Sequence, residues 1–117
     1  MKIIACRVGQ QAHTEDLYNH LHYFQQFVGG YIETVTSPSG YVLVCNEEGR
    51  LKKLSFNPTF SYFRALMLGF PEIIYGNYFI AFTDEDEFTD VPDDDMTKEL
   101  IKDLNMERSG QFTNWEE

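Results

Sequence analysis

Arg50, Lys52 and Lys53 put three cations within four residues, directly after the turn sequence Asn46-Glu47-Glu48-Gly49 and ahead of an Asn57-Pro58 stop. Cations at that spacing, beside backbone N–H groups and with an aromatic ring to stack on, are the parts of an anion clamp. Joined by Arg64, and with Tyr31 and Tyr62 as stacking rings, they form a candidate ligand-binding set for a nucleotide-type small molecule. The simpler reading is a hairpin corner with solvated charges. Asn first and Gly fourth suit a type I turn, with Gly49 free to take positive φ. Glu47 and Glu48 in the same turn would repel a phosphate.

A second constellation is acidic. From Asp84 to Asp95, eight of twelve residues are Asp or Glu and none is basic. A calcium loop would need an oxygen ligand at the fifth position and Gly at the sixth, where Phe88 and Thr89 stand. Two readings remain. The run is either a solvated loop leading into a helix N-terminus, or a set of carboxylates standing in for phosphates on a basic groove of another protein. The second makes Asp84, Asp86, Glu87, Asp90, Asp93 and Asp94 the candidate partner-binding residues.

The three histidines, His13, His20 and His22, offer no chemistry by spacing. His20 and His22 lie two apart on an expected helix, on different faces, so they cannot share a metal. No Ser or Cys stands near a base, and Val28-Gly29-Gly30-Tyr31 lacks the pattern of a phosphate-binding loop. We therefore expect no catalytic residues, no metal site and no cofactor.

The elements that must position these residues follow from composition and period. The chain has 117 residues, 43% hydrophobic and 15% aromatic, the profile of one globular domain with its own core. A net charge of −10 argues against nucleic-acid binding. Met1-Lys2 runs straight into a short apolar stretch, too short for a secretory signal, and no run reaches membrane-span length. A cytoplasmic protein with Cys6 and Cys45 reduced and buried is expected.

Residues 2–8 have strand length. Thr14 reads as an N-cap with Glu15 and Asp16 in the first turn of a helix. Leu17, Leu21, Phe24 and Phe27 or Val28 would form its apolar face, and Gly29-Gly30 its end. Tyr31–Thr36 and Tyr41–Asn46 read as strands around a Ser-Pro-Ser-Gly turn, and residues 50–56 as a third strand. Residues 59–68 suit a helix. Glu72–Thr83 suits a strand, a Gly-Asn turn or bulge, and a strand. After the acidic loop, Met96, Leu100, Ile101 and Leu104 mark one face of a last helix. The order predicts an α+β fold: a mainly antiparallel sheet with two or three helices packed on one face. Residues 1–106 make the single domain; 107–117 form a polar tail, expected to be mobile unless Phe112 or Trp115 docks.

Val28–Glu33, then Asn46–Gly49 with Leu51 and Leu54, then Asn57, and finally Gly76–Phe82 resemble, in that order, the domain of unknown function 3846 family. The resemblance spans most of residues 2–105. Residues 59–70 depart from the short, Arg-containing link expected there, and the tail past 106 has no counterpart. The resemblance implies small proteins of phages and other mobile elements, with no reaction attached. It suggests three functions: a counter-defence protein that blocks a host defence protein through its acidic surface, an oligomeric sponge for a nucleotide immune signal, or an accessory regulator of the mobile element.

Overall fold

Two interleaved sets of apolar side chains run along the same strands, one set for each face of a sheet. The computed structural model describes residues 1–49, 51–54, 56, 57 and 74–108. The expected helix at 59–68 and the tail from residue 109 lie outside the described residues. In chain order the elements are β1 (Lys2–Cys6), β2 (His13–Asp16), α1 (Leu21–Val28), β3 (Ile32–Thr36) and β4 (Tyr41–Asn46). There follow β5 (Phe56–Asn57), β6 (Ile74–Tyr75), β7 (Tyr78–Asp84), β8 (Glu87–Thr89) and α2 (Asp95–Arg108).

The main sheet has the order β2-β1-β7-β4-β3, with every pairing antiparallel. β8 pairs with the far end of β7, beyond the last β1 pairing at Ile4↔Ile80. β5 and β6 form a small second sheet.

All six residues of β4 are buried, so this strand has no wet face. On one face Phe24, Phe27 and Val28 of α1 pack on Ile3, Ala5, Val42, Val44, Phe79 and Ala81. On the other, Leu100 and Leu104 of α2 pack on Ile4, Cys6, Tyr41, Leu43, Cys45, Tyr78 and Ile80. The fold is α+β as expected, but the two described helices cover opposite faces instead of sharing one. A strand apolar on both sides demands cover on both. Each large side chain so buried contributes about 1.5–3 kcal/mol.

The first helix starts later than its sequence suggests. Thr14, Glu15 and Asp16 lie in β2, paired with Ile4, Ile3 and Lys2. The N-cap is His20, whose Nδ1 accepts from the His22 N–H at 3.1 Å. Leu17 packs on the core from the segment before the helix. The expected end holds: Gly29 takes φ 82° and its N–H bonds Gln25 O.

The last helix begins where the acids place it. The Asp94 carboxylate accepts from Thr97 N at 2.9 Å, an N-cap bond. Tyr41 Oη and Thr97 Oγ1, 2.7 Å apart, tie that turn to β4. Met96, expected on the buried face, is instead 51% exposed.

Residues 51–53 do not continue as a strand. Lys52 N bonds Glu48 O, Leu54 N bonds Gly49 O, and Lys53 takes φ 56°. That is a helical turn closed by one left-handed residue. Gly49 has no positive φ; it is needed because a Cβ there would stand 2.8 Å from Tyr75 O. Asn57, expected as a strand stop, is a fully buried member of β5.

Candidate functional site

The first half of the acidic run is a hairpin; its second half, from Asp90 to Asp94, is irregular and leads into α2. β7 and β8 close with Asp84 opposite Glu87, and Glu85 and Asp86 between them take φ 50° and 70°. Positive φ at both central residues is what a type I′ turn needs, and its twist matches that of the strands. Asp84, Glu85, Asp86 and Glu87 are all exposed. Asp93 is exposed just before the α2 cap. Two of the six candidate partner-binding residues also hold the fold. Asp90 accepts from Lys2 N at 2.7 Å, and Asp94 caps α2. Both stay exposed, so the six lie along one stretch of chain from the hairpin tip to the start of α2. Among the described residues no cation pairs with any of them; the ion pairs there are Arg7–Glu15 and His13–Glu15.

The basic turn is organised around Asn46, only 6% exposed. Its Nδ2 donates to Val28 O at 3.0 Å and its Oδ1 accepts from Glu48 N at 2.8 Å. One side chain thus shapes the turn and fastens it to the end of α1. Lys52 Nζ lies over Gly30, 3.1 Å from where a Cβ would sit, and the next residue, Tyr31, is exposed at 66%. Lys53 is exposed on the left-handed residue. Arg50, Arg64 and Tyr62 lie outside the described residues.

Sequence reasoning missed a third feature. Two adjoining hollows of about 280 and 290 Å³ share Gln26, Phe27 and Asn77. Their walls come from Arg7 and Val8 just after β1, Leu17, α1 with its Gly29 cap, Leu54 and the joint between β6 and β7. Arg7 stands over the Phe27 ring at 4.5 Å and grips Glu15 with two bonds of 2.7 Å. Only the Arg7-x₇-Glu15 separation across a β-hairpin could have signalled this pair, and a helix at Thr14 hides it. With its charge already matched by Glu15, Arg7 offers this hollow little pull on an anion.

The Arg7 hydrogen bonds hold the Glu15 carboxyl at about 2, with burial opposing and His13 assisting. The folded value lies below the ordinary one, so the pair's contribution is present at neutral pH. It is lost as pH falls from about 4.5 through about 2. Glu15→Gln should therefore cost about 1 kcal/mol at pH 7, a partly buried bidentate pair still being screened by solvent. Urea midpoints of variant and parent should converge on acidification. A deficit that stays constant with pH would remove the ion pair as its cause.

No group of three or more His, Cys, Asp or Glu among the described residues is placed to hold a metal ion. No described helix is long and apolar enough to cross a membrane.

Among the described residues, a six-stranded antiparallel sheet covered by one helix on each face, with a four-carboxylate hairpin at one end, defines a small α+β domain with an acidic surface. The chain belongs to the family described as Domain of unknown function (DUF3846), whose model matches residues 1–105. No curated protein and no solved structure matches it.

Proposed function

We propose that this protein is a non-enzymatic counter-defence factor of a phage or other mobile element. It acts in the bacterial host cytoplasm and blocks a host defence protein by docking its acidic surface on a basic one. The observation that supports this is the hairpin tip. Asp84 and Glu87 face each other across the ladder with Glu85 and Asp86 between them, and like charges directly opposite destabilise a sheet. A basic groove on a partner would relieve that repulsion, speed encounter and make binding salt-sensitive.

The test is affinity capture from host lysate with its defence systems present, then a binding titration with the captured protein over a range of salt. Asp84→Lys, Asp86→Lys and Glu87→Lys combined should weaken binding by about a hundredfold, a few kcal/mol of lost charge complementarity. The fold should survive, because all three side chains are exposed. Binding indifferent to both salt and the triple reversal sinks the proposal.

One observation favours a second reading, an oligomeric sponge for a nucleotide signal: the turn brings Lys52 Nζ over Gly30, the residue before exposed Tyr31. An anionic nucleotide that binds the parent and is lost in Lys52→Ala would move the assignment there.

A further inference from the structure

The sheet ends in two edges of opposite character. β2, His13-Thr14-Glu15-Asp16, is short and charged, and Glu15 is held by Arg7. Charge and shortness are the devices by which proteins keep edges from pairing. β3, Ile32-Glu33-Thr34-Val35-Thr36, has none of them beyond Glu33. It carries no Lys, no Pro and no bulge, and four of its five residues are β-branched, the type that favours strands.

The ladder fixes which backbone groups of β3 face outward. Glu47 N bonds Tyr31 O and Ser37 N bonds Tyr41 O, so the odd-numbered residues bond toward β4. The N–H and C=O of Ile32, Thr34 and Thr36 therefore point away from the sheet. None of these three residues has an outer partner among the described residues.

We infer that β3 is a self-pairing edge, and that its occupant is β3 of a second copy of this chain, antiparallel and two-fold symmetric about Thr34. In that register the outward N–H and C=O groups of one copy meet those of the other. Thr34 meets its own counterpart, Ile32 meets Thr36, and Glu33 meets Val35. The three outward residues of each copy then exchange about six backbone hydrogen bonds, two for each facing pair. The same register carries Tyr31, 66% exposed, toward Ser37 of the second copy. An isologous contact of this kind closes at a dimer, because each copy offers one such edge. The two Glu33 side chains stand diagonally across the dyad, so they oppose pairing mildly and salt screens them. Rising salt should then tighten this dimer while it loosens the acidic-face complex, which keeps the two proposals separable.

The experiment is sedimentation velocity on the full chain across concentration and salt. The parent should show a monomer–dimer equilibrium that shifts to dimer with salt. Thr34→Pro removes an outward N–H and no bond within the sheet, the setting in which edge proline is tolerated. It should weaken the dimer at least tenfold with unchanged circular dichroism. If Thr34→Pro fails to fold, Thr34→Lys asks the same question by placing like charges at the dyad. Glu33→Gln should tighten the dimer several-fold. A parent that stays monomeric at its solubility limit overturns the inference, as does a dimer untouched by both Thr34 substitutions. A monomer that instead takes a foreign extended peptide along β3 also overturns it and gives the edge to that peptide.

Discussion

Phe79→Ala is expected to lower the stability of this domain by about 3–5 kcal/mol, the range for deleting a buried aromatic ring. Phe79 is fully buried on β7, and its ring centroid lies 5.3 Å from those of both Phe24 and Phe27. Those two rings anchor α1. The cavity left by Phe79→Ala lies between the sheet and α1, flanked by the paired residues Ala5 of β1 and Val44 of β4, whose spacing the ladder fixes. A sheet cannot collapse sideways into such a hole, so the cavity cost stays near the top of its range. α1 has eight residues, too few to persist without tertiary support. The helix should therefore loosen before the sheet does. Denaturant midpoints measure the total, and hydrogen exchange of the α1 amides measures the local part. Phe79→Leu, which restores most of the volume, should cost less than half as much. A loss under about 1 kcal/mol for Phe79→Ala would mean that the ring does not seat α1.

Asn57→Asp should rank second, at about 3 kcal/mol or more. Asn57 Nδ2 donates to Cys6 O at 3.0 Å and to Gly76 O at 2.8 Å, in full burial. One amide thus joins the end of β1, the joint between β6 and β7, and the small β5–β6 sheet. A carboxylate at this position has no donor to offer. It would set its charge against two carbonyl oxygens, with no water to screen it. The deficit should grow as pH rises above the ordinary carboxylate range, because burial resists ionisation in the folded state alone. Thermal melts from pH 4 to 8 test this, with Asn57→Ala as the control that loses the bonds and adds no charge. A pH-independent deficit, equal to that of Asn57→Ala, would show that the introduced carboxylate escapes to solvent.

How much of this was readable beforehand depends on whether one segment carries its own reason. Tyr41–Asn46 is a long apolar run after a Ser-Pro-Ser-Gly turn, and it is a strand. Phe24, Phe27, Val28 and Gly29 state a helix and its end within six residues, and both are found. Asp94, Leu100 and Leu104 likewise mark a helix start and its buried face. The failures are places where a distant contact outweighs local preference. His13-Thr14-Glu15-Asp16 looks like a helix start, and becomes a strand through pairing with β1 and the Arg7 grip on Glu15. Glu85-Asp86 lacks the Asn-Gly signature of a tight hairpin, so the acidic run looked like a loop. Lys53, a residue with a Cβ, takes the left-handed position that Gly49 was expected to fill. The hollow beside Arg7 draws its walls from separate parts of the chain, and no single stretch announces it.

The strand order has a consequence for synthesis. β7 lies between β1 and β4 at the centre of the sheet, yet it follows both in the chain. As the polypeptide leaves a ribosome, β1–β2 and β3–β4 can zip as separate hairpins, each with one apolar edge waiting. They cannot join until residues 78–84 have emerged and slid between them. Until then the nascent chain presents two sticky edges to its surroundings, the state in which newly made proteins are most prone to clump or to recruit a chaperone. The segment that carries β7 completes a structure whose earlier strands have been waiting for it.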